Sequence, residues 1–522
     1  MTWSLTWRLG GASGTVDDVD VAWSESVSLT RSEGNWRTAA VDVVIPVDFT
    51  TLRVNPRTGY AQIAWNGNVQ ITGRWKGTQY EPLPDGRARV SFDVSDVDED
   101  DKGRWPPSGD AFPRRDPDEV STWDLVAVEG ARTWGGAGGR LPDTLEVVPI
   151  LSSTEFPDIA EPADGQVWPY PMGRPGRGEV RPACPAYVYD TRTGGGNSRK
   201  AGISGVPVSC TTITVYGPRY GGTAANAPSN ITDSATGIAV HHATRENGTA
   251  FAYFELADIY TLIDNSPDNS FWWSAEQDAA PSGAGDVILD ALTASTRQID
   301  FLAWRSVAPR LNAYLLDGYS DGITSPTEFL RAQVFPLLPL SAVPGPRGLR
   351  PVLWPWLDDT EARGIDVVDG VGIATGSVVS YMDAQALASM RITFGYDPNR
   401  GIACLSTAAN GGSTVYAVTS EAAVESAEME ARLIWHRATA QQVANDSIRW
   451  RSWSPRVVEL QIRDRDRYGP GGTDDLYPGR RIVLYADRLG INGMAALVGD
   501  REYDSERALV RVYMLDDPLT PV

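Results

Sequence analysis

Gln62-Ile-Ala-Trp-Asn-Gly-Asn-Val-Gln-Ile71 is the stretch on which the fold reading turns. Two alternating runs flank Asn66-Gly67, and a two-residue type I′ loop needs positive φ at both of its positions, which asparagine and glycine supply. A tight hairpin is predicted. Outward from it, Trp3, Leu5, Trp7 and Leu9 recur at period two, as do Val41, Val43 and Ile45 ahead of Pro46. Arg87-Ala-Arg-Val-Ser-Phe-Asp-Val adds another alternating strand, so the first 95 residues read as a β unit.

An acidic cluster follows (Asp93, Asp96, Asp98, Glu99, Asp100, Asp101), then Trp105-Pro106-Pro107 and a charged, Pro-rich stretch to Asp118. It marks a boundary or a long surface loop. From 120 to 280 the pattern stays strand-like, with Leu145–Leu151 and Thr211–Tyr216 as its clearest strands, while Asp164–Gly178 fits no regular element. Near residue 285 the period changes: Val287, Ile288, Ala291 and Leu292 have helical spacing, opening a helix of about ten residues. Ser325-Pro326-Thr327-Glu328 is a capping box with proline at the first helical position; Phe329, Leu330 and Val334 then face a core and Pro336 ends the helix. The longest helix is expected from Glu421 to about Asn445, with Val424, Ala427, Ala431, Ile434 and Ala438 as its apolar stripe and Glu421, Glu425 and Glu428 near its N-terminus. In Gln461–Arg467 a strand period sends Arg463, Arg465 and Arg467 to one face, opposite Ile462, Asp464 and Asp466. Strands over 481–486, 494–501 and 506–515 complete a small β domain, and no fixed-period repeat is visible.

The 522 residues carry 46 basic and 67 acidic side chains, a formal net charge of −21. A chain this acidic repels phosphate backbones and anionic lipid, which excludes both as general binding partners. Fifty-one glycines and 36 prolines with few long helical patterns favour many strands joined by turns. Cys184, Cys210 and Cys404 form no metal spacing. Cys184 and Cys210 either pair or stay as buried thiols, the latter being commoner in reducing cytosol. Met1-Thr-Trp-Ser-Leu-Thr-Trp-Arg-Leu lacks the basic start and apolar run of a signal peptide, and no stretch reaches membrane-spanning length. The triplets at Asn230 and Asn247 read as chance matches to the glycosylation pattern.

Catalytic chemistry finds little material. Gly318-Tyr-Ser-Asp-Gly322 fits G-x-S-x-G, but a nucleophile elbow needs a helix directly after its serine, and here the helix begins only at Pro326. His241, His242 and His436 are the only histidines; the first two point to opposite faces of a strand and the third lies in the expected long helix. Asp96, Asp98 and Asp100 begin like a calcium loop, but Asp101 and Pro107 stand where glycine and the bidentate glutamate are needed. Eighteen tryptophans suit either a sugar-stacking surface or β cores and subunit seams, with Trp3, Trp7, Trp65 and Trp75 favouring cores. The glycines over 135–139 and 194–196 lack the spacing of a phosphate cradle. No catalytic, cofactor-binding or metal-ligating residue is assigned.

Two stretches carry a resemblance. Gly285-Asp-Val-Ile-Leu-Asp-Ala-Leu, then Leu315-Leu-Asp-Gly-Tyr-Ser-Asp-Gly-Ile-Thr-Ser-Pro-Thr-Glu-Phe-Leu330 and Leu337-Leu-Pro-Leu-Ser-Ala-Val-Pro-Gly-Pro346, resembles the middle of tailed-bacteriophage hub proteins at the tail tip. The C-terminal stretch, Ser452-Trp-Ser-Pro, Leu476-Tyr-Pro-Gly-Arg-Arg-Ile-Val-Leu484 and the hairpin from Ala496 through Val510–Leu515, looks like that family's closing β domain. The resemblance implies a mainly β, multi-domain chain with α+β insertions and a split β-barrel or sandwich platform. Residues 1–95 and 451–522 would form the platform. Residues 96–280 would be a β-rich insert, 281–419 an α+β insert and 420–450 a connecting helix. It further implies a non-enzymatic virion protein of the tail tip or baseplate, made in the host cytoplasm. Such a protein closes and extends the tail tube as a homotrimeric ring. Its partners would be the distal tail protein or tube, the tape-measure protein and a central fibre or tip protein. DNA would pass it at infection without specific binding, and no stable membrane insertion is implied. An acidic lumen would suit that passage. Two other readings stay open: a glycan-binding or glycan-cleaving virion or secreted enzyme using tryptophans and carboxylates, and a distal tail protein or other tail-tip component.

Overall fold

The computed structural model describes residues 3–9, 12–25, 37–46, 60–95, 105, 151–159, 163–178, 183–190, 200–217, 233–245, 250–255, 270–295, 299–320, 322, 324–345, 348–354, 365–368, 370–371, 373–381, 387–398, 401–410, 425–451, 456–463, 476–503 and 508–515. The chain is mainly β, in several sheets with few helices. Of the sequence-read features, Leu145–Ile150, Trp75's side chain, Asp96–Asp101, Glu421–Val424, Asp464–Arg467, both glycosylation triplets and the two glycine runs lie outside the described residues.

The largest sheet has thirteen strands and draws on both ends of the chain. Its order is Ala12–Asp17, Trp3–Leu9, Tyr60–Trp65, Asn68–Pro82, Ala88–Ser95, Arg37–Ile45, Asp20–Glu25, Ile491–Tyr503, Ala508–Met514, Arg456–Ile462 and Ile373–Tyr381. Arg481–Ala486 also pairs with Ile491–Tyr503 and is joined in parallel by Ile365–Val368. The hairpin is as expected, with Asn66 at φ 47° and Gly67 at φ 81°. Period two buries Trp3, Leu5 and Trp7 from one strand, Val41, Val43 and Ile45 from another, and Val458, Leu460, Val510 and Val512 from the C-terminal strands, all in one cluster. Each large side chain so buried contributes about 1.5–3 kcal/mol. Ile365–Val368 and Ile373–Tyr381 come from the stretch read as the second insert, yet their backbone groups complete this sheet.

A second, seven-stranded antiparallel sheet falls within the stretch read as the β-rich insert, in the order Asp233–Ala239, Thr212–Gly217, Ser270–Ala275, Cys184–Asp190, Lys200–Ser204, Ala250–Glu255 and His241–Thr244. Its two outermost strands are consecutive in sequence and joined through Val240, so the sheet curls until its ends are neighbours. Cys184 and Cys210 are buried thiols in its core that are not joined by a disulfide, and burial pushes the Cys210 thiol up to about 11. Residues 151–159 and 163–169 lie over the sheet through Trp168, whose ring presses so closely on Gly202 that a Cβ there would sit 2.5 Å from it.

Helices α1 (Ala284–Thr293), α2 (Phe301–Leu311), α3 (Pro326–Phe329) and α4 (Arg437–Arg451), the last from the stretch read as a connecting helix, pack around one core. Helix α1 matches its sequence pattern, and α3 starts as its capping box specifies: the Ser325 hydroxyl accepts from the Glu328 amide at 3.2 Å. The Glu328 carboxylate takes the Thr324 hydroxyl at 2.5 Å, and the chain continues past α3 as a π turn and a 3₁₀ turn through Pro336. The helix expected over Glu421–Asn445 is a correction. Residues Glu425–Ala431 are a strand parallel to Leu387–Asp397, and α4 begins only at Arg437. Ala427, Met429 and Ala431 turn inward while Ser426, Glu428 and Glu430 face solvent, a period-two pattern hidden within the helical stripe. His436 therefore precedes α4 rather than lying inside a helix, with its Nδ1 3.2 Å from the Thr439 hydroxyl.

Segment 164–178, free of regular structure apart from Tyr170–Pro171, knits the inserts together around Asp317. The fully buried Asp317 carboxylate accepts from the Arg174 amide (2.9 Å) and Arg177 Nε (3.0 Å), and Arg177 also reaches Asp278 at 2.7 Å. Gly173, at φ 60°, passes so close that a Cβ would lie 2.3 Å from the Leu316 carbonyl oxygen. That approach admits glycine alone.

Candidate functional site: the joint between platform and insert

The two ends of the chain meet where Asp20–Glu25 pairs antiparallel with Ile491–Tyr503, through Glu25–Arg501, Ser24–Glu502 and Trp23–Tyr503. Ile491–Tyr503 is thirteen residues long and serves two neighbourhoods. Its first part pairs with Arg481–Ala486, and its last part with Asp20–Glu25. A register shift between Val498 and Arg501, opposite Ala508–Met514, separates the two parts. Glycine at 499 is required there, since a Cβ would fall 2.0 Å from the Tyr513 ring laid over the backbone. Burial of that tyrosine pushes its phenol up to about 12.

Leu340–Gly345 and Gly348–Leu353 form a hairpin that is buried on both faces. Side chains alternate along a strand, so neighbours in sequence enter different cores. Leu340, Ala342, Leu349 and Leu353 join the core of the helical insert. Val343 and Val352, with Trp354 just beyond, pack on Leu497, Tyr513 and Leu515. Those three belong to the outer face of the C-terminal strands, whose inner faces carry Ala496, Val498, Val512 and Met514 into the platform core. The hairpin is thus a shared wall between insert and platform.

Its two faces are held differently. On the insert side the Leu349 carbonyl oxygen accepts from the Asp300 amide (3.1 Å) and from Trp304 Nε1 (2.9 Å), and Asp300 caps α2 by accepting from the Ala303 amide. On the platform side Arg350 donates to the Pro478 carbonyl oxygen at 3.3 Å and lies 4.2 Å from the centre of the Tyr477 ring. Arg480 approaches the same ring and donates to its hydroxyl at 3.0 Å. Gly479, at φ 84°, completes the turn before strand Arg481–Ala486, and a Cβ on it would lie 2.2 Å from Val352 Cγ1. The Pro478-Gly479 turn was legible in the sequence; its contact with a residue some 130 positions earlier was not.

The other sequence candidates lie apart from this joint. Ser320 is buried in a two-residue strand with Tyr319, and the helix after it starts only at Pro326. His241 and His242 occupy alternating positions of one strand, His242 accepting the Val208 amide at 3.3 Å. Trp3, Trp7, Trp65, Trp105, Trp168, Trp273, Trp304, Trp354 and Trp435 are all buried and Trp272 is half-buried, so these tryptophans are core residues rather than an exposed stacking surface. On the outer face of the N-terminal strands a groove of about 330 Å³ is lined by Asp20, Asp42 and Asp93 with Gln79 and Ser91. Asp20 stands directly opposite Asp42, and Arg89 grips both Asp42 oxygens at 3.0 and 2.7 Å, which lowers that carboxyl below its ordinary range.

No family model and no curated protein matches the chain. Among solved structures it is similar to the 43 kDa tail protein of prophage MuSo2 from Shewanella oneidensis, with 9% identity over 98% of each chain and a TM-score of 0.36. It is also similar to a tail protein from Neisseria meningitidis MC58, with 8% identity over 98% of this chain and 96% of that one and a TM-score of 0.39. A chain of the native gene transfer agent virion is 12% identical over 69% of this chain and 87% of its own, with a TM-score of 0.38. These structural neighbours are tail and virion proteins.

Proposed function

We propose that the chain is a structural component of a phage-type tail, acting as a hub at the tail tip with a mechanical rather than catalytic role. The observation that carries the reading is the single sheet built from both ends of the chain through Glu25–Arg501 and Trp23–Tyr503, with the helical and β-rich inserts between. Such a platform presents three terminal strands, Ala12–Asp17, Ile373–Tyr381 and Ile365–Val368, whose outer edges have no partner among the described residues. Closing copies into a ring would cover them. In this reading residues 1–95 and 451–522, with Ile365–Val368 and Ile373–Tyr381, form the platform. The inserts at 96–280 and 281–419 reach toward the tape-measure protein and a tip protein, and the distal tail ring stacks on the platform. A net charge of −21 suits DNA passing through without adhering.

Mass photometry of the purified chain, alone and with the neighbouring tail proteins, tests the proposal. A species at three times 56.5 kDa supports it. A chain that stays monomeric and is absent from purified particles overturns it, and a map of the particle with a basic lumen overturns the account of DNA passage.

A further inference from the structure

The two-faced hairpin joins cores of unequal size. Its insert face enters a core that includes four helices and the strands Leu387–Asp397 and Glu425–Ala431, and is tied by two hydrogen bonds to one carbonyl. Its platform face enters a small cluster centred on Val343, Val352, Trp354, Leu497 and Tyr513. That contact is held by apolar packing and the half-buried Arg350–Tyr477 contact. Opening free energies follow local burial, so a joint of this kind separates first along its smaller face.

We propose that the hairpin is a clutch: it stays with the helical insert and releases from the outer face of the platform at Val343, Val352 and the Pro478-Gly479 turn. The insert then swings as a body while both cores remain folded. Gly479 limits the engaged position, because its backbone lies against Val352 with no room for a side chain. Arg350 guides re-engagement, its guanidinium lying over the Tyr477 ring and donating to the next carbonyl. Use of this motion in a tail rests on the reading given above; the motion itself belongs to the isolated chain.

Adjacent residues on the hairpin allow a direct test. Val343 and Ala342 are 1% and 2% exposed but face the platform and the insert respectively. In the full-length chain with Cys404→Ser, since Cys404 is the half-exposed native thiol, Val343→Cys and Ala342→Cys are labelled with a maleimide under native conditions. Val343→Cys is expected to label at least about tenfold faster than Ala342→Cys. The partner strand supplies an independent pair, Val352→Cys against Leu353→Cys, with the same expected order. Leu497→Ala is expected to speed labelling at 343 and 352 while leaving 342 and 353 unchanged. Equal rates within both pairs, or faster labelling on the insert face, overturn the proposal. Because labelling is read on the purified chain, its failure leaves the tail reading to be judged by assembly alone.

Discussion

Replacing Gly479 by alanine perturbs the joint at its tightest point. The residue has φ 84°, a region where a non-glycine residue loses about 1–2 kcal/mol. The new Cβ would lie 2.2 Å from Val352 Cγ1 and 2.9 Å from Cγ2, well inside contact distance, and such overpacking costs about 1–3 kcal/mol. Gly479→Ala should therefore cost about 2–5 kcal/mol in all. Val352→Ala deletes the two carbons that collide, and on a normal backbone would cost about 1–3 kcal/mol through lost burial. In the double variant the clash term vanishes, so the cost should fall short of the sum by about 1–3 kcal/mol. Urea unfolding of the four proteins of the cycle, followed by far-ultraviolet circular dichroism and tryptophan fluorescence, measures this difference. Additivity within about 0.5 kcal/mol would refute the claim that Gly479 is glycine because Val352 occupies its side-chain space.

Four further outcomes are expected. Asp317 is buried and its carboxyl is raised, so the folded chain binds that proton more readily than the unfolded chain; its contribution to stability rises as pH falls through the raised value. Asp317→Asn should remove this part of the pH dependence, read as converging or crossing melting curves between neutral and mildly acidic pH; an unchanged pH profile argues against the assignment. Asp42 and Glu276 are lowered, by Arg89 and by the Gly237 amide respectively, so their contributions are present above the ordinary carboxylate range and lost as pH falls through the depressed values. Arg89→Met should abolish the Asp42 part, checked by NMR titration of that carboxyl. Ser325→Ala should destabilise by about 1 kcal/mol through loss of the cap on α3, measured by denaturant midpoint, and Ser325→Asp should restore most of it. Gly499→Ala should displace the Tyr513 ring and cost about 1–3 kcal/mol, with Tyr513→Ala relieving the effect.

What the sequence discloses here is what short range controls. Asn66-Gly67 specifies its hairpin because the turn chemistry lies within two residues, and Ser325–Glu328 specifies a helix start for the same reason. Segment 425–431 misleads because alanines and a methionine at 427, 429 and 431 satisfy both periods, and a distant partner, Leu387–Asp397, decides between them. Helix α2 escapes notice since Pro309 sits inside it and its cap, Asp300, is fixed by the hairpin at Leu349. The apolar run Leu337–Val343 was visible, but no local rule says that its alternate residues belong to different cores. The joint therefore had no sequence signal beyond a Pro-Gly turn. Likewise Ile365–Val368 and Ile373–Tyr381 look like parts of the insert until the strands they complete, a hundred residues later, are in place.

The strand Ile491–Tyr503 has a consequence for how the molecule comes into being on the ribosome. Asp20–Glu25 is synthesised long before Ile491–Tyr503, the strand that fills the edge it offers. Contacts between segments so far apart in sequence form slowly, because a very long loop must close before they are rewarded. Until then the N-terminal strands wait with an open edge, exposed to pairing with other nascent chains. Synthesis of Ile491–Tyr503 thus acts as a checkpoint: a chain that stops before it lacks Asp20–Glu25's partner strand and leaves the sheet unfinished.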